Sequence, residues 1–313
     1  MDTLDTRIFR ALVQDRTAFS SSEAKPSFKS IAGRLGVDED TVRNRIRKMQ
    51  ESGFLQHFSI MMNPTVVGLN ATQVLVEVSM PKEKQDLVDQ LKKLPGSLVI
   101  VDCYGGSLSY AFLHRDETSR DRQLGLVRSL SRTTNLISTP VPFTACTLKL
   151  METDWKIVRS LRNDPRKAYN SVAKEVKIST RTVKRRLGRM TESKAIFIVP
   201  SLNPAAMQGM IQADLLVLYD DARSKTELDR KFLSTWDDYV ARAETGSPGS
   251  SFFNLFIKNI SQADEVLDWV RDQPGVSSSR VDLIKNRYEL YDTLDREQET
   301  EMKRLFPATS SRR

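Results

Sequence analysis

The chain has 313 residues, enough for about two ordinary domains or four small ones. Hydrophobic residues at 39% and charged residues at 28% suit a protein with real cores and exclude wholesale disorder. A formal net charge of +8 favours an anionic partner, while two cysteines and two histidines are too few for a disulfide framework or a zinc centre.

The opening MDTLDTRIFRALVQ places acidic residues before an amphipathic run and has no apolar signal-peptide core. The longest apolar runs, QVLVEV and FFNLFI, fall far short of the roughly 20 residues that cross a bilayer. A cytoplasmic protein with no membrane contact and no cofactor is the expectation. The two cysteines, Cys103 and Cys146, are expected to stay unlinked as small buried hydrophobes.

From the start of the chain, LDTRIFRALVQD predicts a helix, and the Ser-rich stretch from Ser20 to Pro26 predicts a loop. SFKSIAGRL is a second, short helix, and Gly36-Val37 makes a tight turn before Asp38, a good N-cap. In DEDTVRNRIRKM, Val42, Ile46 and Met49 fall on one apolar stripe of a third helix. A β-hairpin, FLQHFSIMM, then closes on Asn63-Pro64. Helix, short helix, turn, helix and hairpin make a winged helix-turn-helix. From Ala71 the pattern changes. ATQVLVEVSM, SLVIVDCY, SLSYAFLHR and FTACTLKL predict strands, with helices KEKQDLVDQLKKL and SRDRQLGLVRSLSR between them, the order βαββαβ of a ferredoxin-like domain.

After Leu150 the whole order returns. TDWKIVRSLRND matches the first helix, and AYNSVAKEVKISTRTVKRRLGRMTES matches the second and third. Ser179 replaces Asp38 as N-cap, Val183, Leu187 and Met190 form the stripe, and AIFIVPSL is the hairpin before Asn203-Pro204. QADLLVLYD, TELDRKFLSTW, YVARAET, SSFFNLFIK, QADEVLDWVRDQ and SRVDLIKNRYEL repeat βαββαβ, and TLDREQETEMKRLF predicts one more amphipathic helix. The fold class is therefore α+β, a tandem repeat of two units. The expected domains are 1–64 and 151–204, each a winged helix-turn-helix, and 65–150 and 205–313, each ferredoxin-like.

The charge is not shared evenly between the copies. Residues 165–199 hold ten Lys/Arg against Glu175 and Glu192, whereas residues 27–57 hold six against four acids. In such a motif the third helix enters the major groove with its N-terminal part. Arginine there grips phosphates or reads guanine bidentately, and asparagine reads adenine. DNA-binding residues are accordingly expected at Thr41, Arg43, Asn44, Arg47 and Lys48 in the first copy. In the second they are Thr180, Arg181, Thr182, Lys184, Arg185, Arg186 and Arg189, with Arg166, Lys167 and Lys194 flanking them. Phosphate contacts fall to Arg166, Lys167, Lys184, Arg186 and Lys194, and base reading to the outward residues of the two helices. Asp38, Glu39 and Asp40 suit a helix N-terminus, yet they sit where the first helix would meet phosphates.

A winged helix-turn-helix closed by Asn-Pro and followed by βαββαβ resembles the Lrp/AsnC (feast/famine) family of transcription regulators, here as two fused copies. GVDEDTVRNRIRKMQESGFLQHFSIMMNPTVVGL carries the closest likeness, and the order of elements extends it over the whole chain. The resemblance implies a regulator binding double-stranded DNA, with RAM-type ferredoxin-like domains that pair. Here that pairing would lie within one chain, residues 71–150 on 211–295, with homodimers or higher assemblies built on it. It also implies small-molecule effectors at the turns Gly105-Gly106-Ser107 and Gly246, Ser247 and Gly249. The acidic residue that commonly follows the glycine is absent from both turns. The siroheme decarboxylases resemble the same architecture and supply the rival reading, an enzyme. That family carries histidines in its ferredoxin-like halves, where this chain has only His114, and no Ser-His-Asp, Cys-His or paired-carboxylate arrangement is readable here.

Overall fold

A computed structural model describes residues 1–13, 27–79, 81–133, 136–162, 164–165, 167–245 and 248–307. The loop expected at Ser20 to Pro26 lies outside them. The first unit contains helices α1 (Thr3–Val13), α2 (Phe28–Leu35) and α3 (Glu39–Glu51), then strand β1 (Leu55–Met62). β2 (Asn70–Glu77), α4 (Pro81–Leu91), β3 (Ser97–Cys103), β4 (Ser107–His114), α5 (Glu117–Ser131) and β5 (Leu136–Val141) complete it. The second unit runs α6 (Glu152–Leu161), α7 (Tyr169–Val176), α8 (Thr180–Glu192), β6 (Ile196–Leu202) and β7 (Ile211–Tyr219). It continues through α9 (Ala222–Thr235), β8 (Val240–Glu244), β9 (Ser250–Ile257), α10 (Ile260–Arg271), β10 (Val276–Glu289) and α11 (Asp292–Leu305).

The turns follow the sequence. Gly36 takes φ 68°, closing α2 in the left-handed conformation that glycine adopts at no steric cost, and Lys177 takes φ 57° at the matching end of α7. The Asp38 carboxylate accepts from the Thr41 amide at 2.6 Å, and the Ser179 hydroxyl accepts from the Thr182 amide at 3.1 Å. Val42, Ile46 and Met49 are buried, as are Val183, Leu187 and Met190.

Two expectations are corrected. Neither wing is a hairpin: β1 and β6 are single strands that pair with each other, antiparallel, from Leu55↔Leu202 to Met62↔Ile196. Neither run contains a turn that would fold it back, so each strand satisfies its backbone groups on the other copy. The last strand of the first ferredoxin-like domain is Leu136–Val141, not FTACTLKL, which has no ladder partner. Pro140 sits on this edge strand opposite Thr72, and Pro142 has no N–H with which to prolong the ladder.

The eight strands of both βαββαβ units form one antiparallel sheet in the order β5-β2-β4-β3-β10-β7-β9-β8. β10 spans 14 residues and joins the halves. Its first part pairs with β7, Val276↔Tyr219 to Leu283↔Ala213, and its second part with β3, Ile284↔Cys103 to Glu289↔Val99. The pairing of the two ferredoxin-like domains within one chain is thus present. Cys103 is buried on β3, Cys146 lies in the irregular segment after β5, and both are free thiols.

The units are also crossed. Ile8, Phe9, Ile31, Val42 and Phe54 of the first helix-turn-helix pack with Met210, Ala241 and Phe256 of the second unit. Trp155, Val158, Val183 and Leu187 of the second pack with Met61, Met62, Leu98 and Leu113 of the first. α11 returns across this second core through buried Leu294, and its Asp295 pairs with Arg162 at 3.2 Å.

Inside each helix-turn-helix an acid on the first helix clamps the third. Asp154 on α6 is fully buried and receives Arg186 at 3.0 Å and Arg189 at 3.5 Å. In the first copy, buried Asp5 and exposed Asp2 receive Arg45 at 3.2 and 2.6 Å. Removing one partner of a buried pair leaves an uncompensated charge, at a cost of roughly 3–5 kcal/mol. Asp154→Ala is expected to lower unfolding stability by about 3 kcal/mol because Arg186 retains some solvent. The loss is measured by denaturant unfolding, with Glu152→Ala, an exposed acid on the same helix, expected within about 0.5 kcal/mol of the parent. The crossed packing makes a further expectation: fragments 1–150 and 151–313, co-expressed, co-purify as a one-to-one complex, since apart each exposes an unpaired sheet edge and half of each core.

Candidate nucleic-acid interface

The outward face of α8 is built by the same periodicity that buries its stripe. With Val183, Leu187 and Met190 inward, Thr180, Arg181, Lys184, Arg185 and Arg189 are exposed and Thr182 is half-buried against its cap. Among the described residues, no carboxylate lies within ion-pair distance of Arg181, Lys184 or Arg185, which leaves three cations facing solvent over about a turn and a half of helix. Gly188 lies on the adjoining strip, and a Cβ placed there would meet nothing within 4 Å.

The face of α3 has the same shape and a different electrostatic outcome. Arg43, Asn44, Arg47 and Lys48 are exposed and Thr41 is half-buried. Arg43 pairs with Glu39 at 2.8 Å and with Asp40 at 3.8 Å, and Arg47 lies 3.7 Å from Glu51 while donating to the Asn44 carbonyl at 2.9 Å. Each arginine on this face therefore has an acid of its own helix beside it. The Thr41 hydroxyl and amide both donate to Asp38 and hold its carboxyl below the usual aspartate range, so the N-terminal turn stays anionic at neutral pH.

The flanking residues divide. Arg186 is not on the outward face: its guanidinium turns inward to Asp154, because a residue one position before the buried Leu187 lies at the border of the apolar stripe. Arg189 shares that carboxylate while remaining half in solvent. Lys167 is tied to Glu175, which also accepts from the Ser160 hydroxyl. Lys194 sits at φ 59° in the turn after α8, its carbonyl accepting from the Asn63 side chain at 2.9 Å. Arg166 lies outside the described residues.

In the first unit the turn expected to hold an effector is engaged by side chains of the chain itself. Lys84 on α4 donates to the Gly105 carbonyl at 2.9 Å and to the Cys103 carbonyl, while pairing with buried Asp102 at 2.7 Å. Arg280 of β10 donates to the Ser107 hydroxyl, and a Cβ at Gly106 would lie 2.3 Å from the Val78 carbonyl oxygen. In the second unit Lys225 reaches the Thr245 carbonyl at 2.6 Å, just before Gly246 and Ser247, which lie outside the described residues. Gly249 is exposed, and its carbonyl accepts from the Tyr219 amide at 3.1 Å.

One feature was not legible as a site in the sequence. Between the sheet and the β1–β6 ribbon lies a cavity of ≈ 150 Å³, with Gln73, Gln212, Asp214 and Asn254 on its floor. His114 is not among its lining residues. The His114 ring makes a 2.9 Å hydrogen bond with Thr72 on the sheet and lies tilted against Phe112, and burial lowers its pKa.

With this geometry in place, comparison with known proteins is informative. A model of the AsnC-type helix-turn-helix domain matches residues 1–50 and again residues 152–191. An HTH-type transcriptional regulator of Methanocaldococcus jannaschii is 30% identical over 94 residues, covering 30% of this chain and 58% of that protein. An uncharacterised HTH-type transcriptional regulator of Pyrococcus furiosus is 31% identical over 94 residues, with the same coverage of both chains. The chain thus matches little more than half the length of these relatives. Among solved structures, the siroheme decarboxylase NirDL superposes with a TM-score of 0.55 at 14% identity, over 96% of this chain and 98% of that one. Its complex with an iron-uroporphyrin III analogue gives a TM-score of 0.53 at 13% identity, over 95% and 99% of the two chains. At that identity the likeness establishes the fold alone. The two matched segments coincide with α1–α3 and α6–α8, so the chain matches the AsnC-type helix-turn-helix domain twice in tandem.

Proposed function

We propose that the protein is a sequence-preferring, double-stranded DNA-binding transcription regulator that presents two unlike recognition helices from one chain. The observation that carries this reading is the trio Arg181, Lys184 and Arg185, exposed on α8 with no acid beside them among the described residues, on a domain matched by the AsnC-type model. Solvent-exposed cations with no local counter-charge are the groups that displace condensed counterions from a phosphate backbone. Arg181 and Arg185 lie one turn apart and address base edges, and Thr180, Thr182, Lys184, Arg189, Lys194 and Arg166 hold the backbone on either side. Arg186, committed to Asp154, acts through the clamp and not on phosphate.

α3 reads a second half-site more weakly. Its arginines must leave Glu39, Asp40 and Glu51 before they can serve a phosphate, and the ionised Asp38 repels one. Asn44 is an exposed amide of the type that pairs with adenine, and Asp40 an exposed carboxylate of the type that accepts from cytosine, once Arg47 and Arg43 turn away from them. The composite operator is asymmetric, with half-sites about 10 base pairs apart, or a multiple of that, if both helices dock on one face of the duplex.

A second reading rests on the fold shared with NirDL over nearly the whole chain. The interior of this chain does not favour it. A cavity of ≈ 150 Å³ is well below the roughly 300–1,000 Å³ that drug-sized ligands occupy, and its floor carries more carboxylates than guanidinium groups, a poor host for a carboxylate-bearing macrocycle. Mixing the purified protein with an iron-uroporphyrin is expected to give no protein-dependent Soret shift. A saturable shift together with release of carbon dioxide would establish the enzyme reading.

For DNA binding, neutralising about six phosphates predicts that log K falls against log salt with a slope near −5, measured by fluorescence anisotropy on duplex DNA. A slope near zero, or no binding at about 50 mM salt, defeats the proposal. Replacing Arg181 and Arg185 together by Ala is expected to cost about 2–4 kcal/mol in operator affinity and to erase one half of the footprint. Asn44→Ala is expected to cost less than about 1 kcal/mol. Equal losses, or a footprint with perfect two-fold symmetry, would show that the copies read DNA alike.

A further inference from the structure

The face of the eight-stranded sheet turned away from its helices is polar at alternate positions. On β7, Ala213 and Leu215 point into the helix-covered core while Gln212 and Asp214 point the other way, and on β9 Phe253 and Leu255 alternate with Phe252 and Asn254. On β10, Arg287 and Glu289 share this outer face. Such a face normally meets water. Here the β1–β6 ribbon roofs it with Met61, Phe197, Val199 and Pro200, leaving a partly open cavity of ≈ 150 Å³ between ribbon and sheet.

The polar groups on the floor are not mutually satisfied. Arg242 pairs with Glu244 at 2.8 Å and Arg287 with Glu289 at 3.4 Å. The third carboxylate, Asp214, has no cation within 4.0 Å among the described residues. Asn254 donates its amide to Asp214 Oδ1 at 2.7 Å, and Gln212 donates its amide to the Asn254 carbonyl at 3.1 Å. This relay fixes the orientation of both amides, because Asp214 only accepts when ionised. Its consequence is that Gln212 Oε1 is left buried without a hydrogen-bond partner. One anionic acceptor and one neutral acceptor therefore lie in the same small chamber, short of donors and of positive charge, beneath an apolar roof.

We propose that this chamber binds a small organic monoamine as its ammonium ion, with the N–H groups donating to Asp214 and Gln212 Oε1 and the hydrocarbon lodged between Phe197 and Val199 of the roof and Phe252 of the floor. A cavity of ≈ 150 Å³ is about the size that accepts one benzene ring, which limits the guest to roughly six to eight heavy atoms. The site is separate from the glycine turns at the sheet end, which Lys84, Arg280 and Lys225 already engage. The cavity itself is lined by both units, since the roof belongs to β1 and β6 and the floor to both halves of the sheet. Amine binding is independent of whether α3 and α8 bind DNA.

Burial pushes the Asp214 carboxyl up to about 6, against the Asn254 hydrogen bond and the attraction of Arg287, with Glu244 and Asp282 adding to the rise. The charged groups facing it are Arg287, Glu289 and Asp282 on β10 and Arg242 and Glu244 on β8, and the roof adds only apolar side chains. The folded-state value lies above the unfolded one, so the amine-free protein favours the protonated acid and loses stability as pH rises through about 6. Amine binding requires the ionised form and must strengthen over the same interval.

The test uses the full-length protein, with benzylamine as probe and benzyl alcohol and benzoate as its neutral and anionic counterparts, in titration calorimetry and thermal unfolding at pH 7.5. Benzylamine is expected to bind saturably and raise Tm, and the other two are not. Affinity for benzylamine should weaken about tenfold per pH unit well below 6, as the site must first lose a proton. Asp214→Asn should abolish binding while leaving the ligand-free Tm at pH 7.5 no lower than the parent's, and Gln212→Leu should weaken binding several-fold. Equal binding of benzyl alcohol, unchanged binding in folded Asp214→Asn, or no binding of benzylamine, isobutylamine or cyclohexylamine would overturn the proposal.

Discussion

The architecture depends on one continuous strand. β10 is long enough to complete the second ferredoxin-like sheet with its first eight residues, Val276 to Leu283, and the first sheet with the rest. Where the strand changes partners the Tyr104 amide donates to the Leu283 carbonyl at 2.8 Å, and just past the end of β10 the Leu290 amide donates to the Leu98 carbonyl at 2.9 Å. An edge of four strands that would otherwise invite another chain is consumed internally. Because β10 carries the chain over to the first unit, α11 can reach the second helix-turn-helix, and Asp295 can meet Arg162.

The crossed packing follows from that junction together with the β1–β6 ribbon. Each helix-turn-helix core is finished by side chains from the other unit: Ala241 and Phe256 complete the first, and Leu98 and Leu113 the second. Phe9, Phe54 and Phe256 form one aromatic cluster across the boundary, with ring centroids 5.2 to 6.3 Å apart. The recognition helices are therefore not beads on a flexible string. Their relative placement is tied to the sheet, so a guest between the ribbon and the sheet touches the element that connects both reading heads.

Duplication within one chain lets the two reading heads diverge, and their electrostatics show how. The clamp is retained in both copies, Asp5 with Arg45 and Asp154 with Arg186, because it holds the third helix against the first whatever the outer face does. The outer face is free to change. α8 keeps three cations with no carboxylate beside them among the described residues, while α3 closes its arginines onto Glu39, Asp40 and Glu51. Surface pairs of this kind contribute little to stability, so their main effect is on the field the helix presents.

Much of this was readable from residue order. The repeat, the three helices of each head, the caps at Asp38 and Ser179, the βαββαβ order and the buried stripes all rest on short-range rules, periodicity, capping and turn chemistry, that act within a dozen residues. The local reading failed where a segment's partner was distant. FLQHFSIMM and AIFIVPSL looked like wings folded on themselves, but each completes its hydrogen bonds on the other copy, some 140 residues away. FTACTLKL alternates like a strand, but the ladder stops at Val141, before Pro142, which has no N–H to prolong it. Arg186 resembled its neighbours on a helical wheel, and only the fold of α6 brought Asp154 beneath it. Nothing in the sequence singled out Gln212, Asp214 and Asn254, since alternation reveals which side of a strand is polar and not whether anything covers it. Sequence by itself determined the elements, their order and the distribution of charge, because those are set by neighbours along the chain. Tertiary structure alone decided which cations remain unpaired and which polar face becomes a chamber, because burial and ion pairing depend on what lies across space.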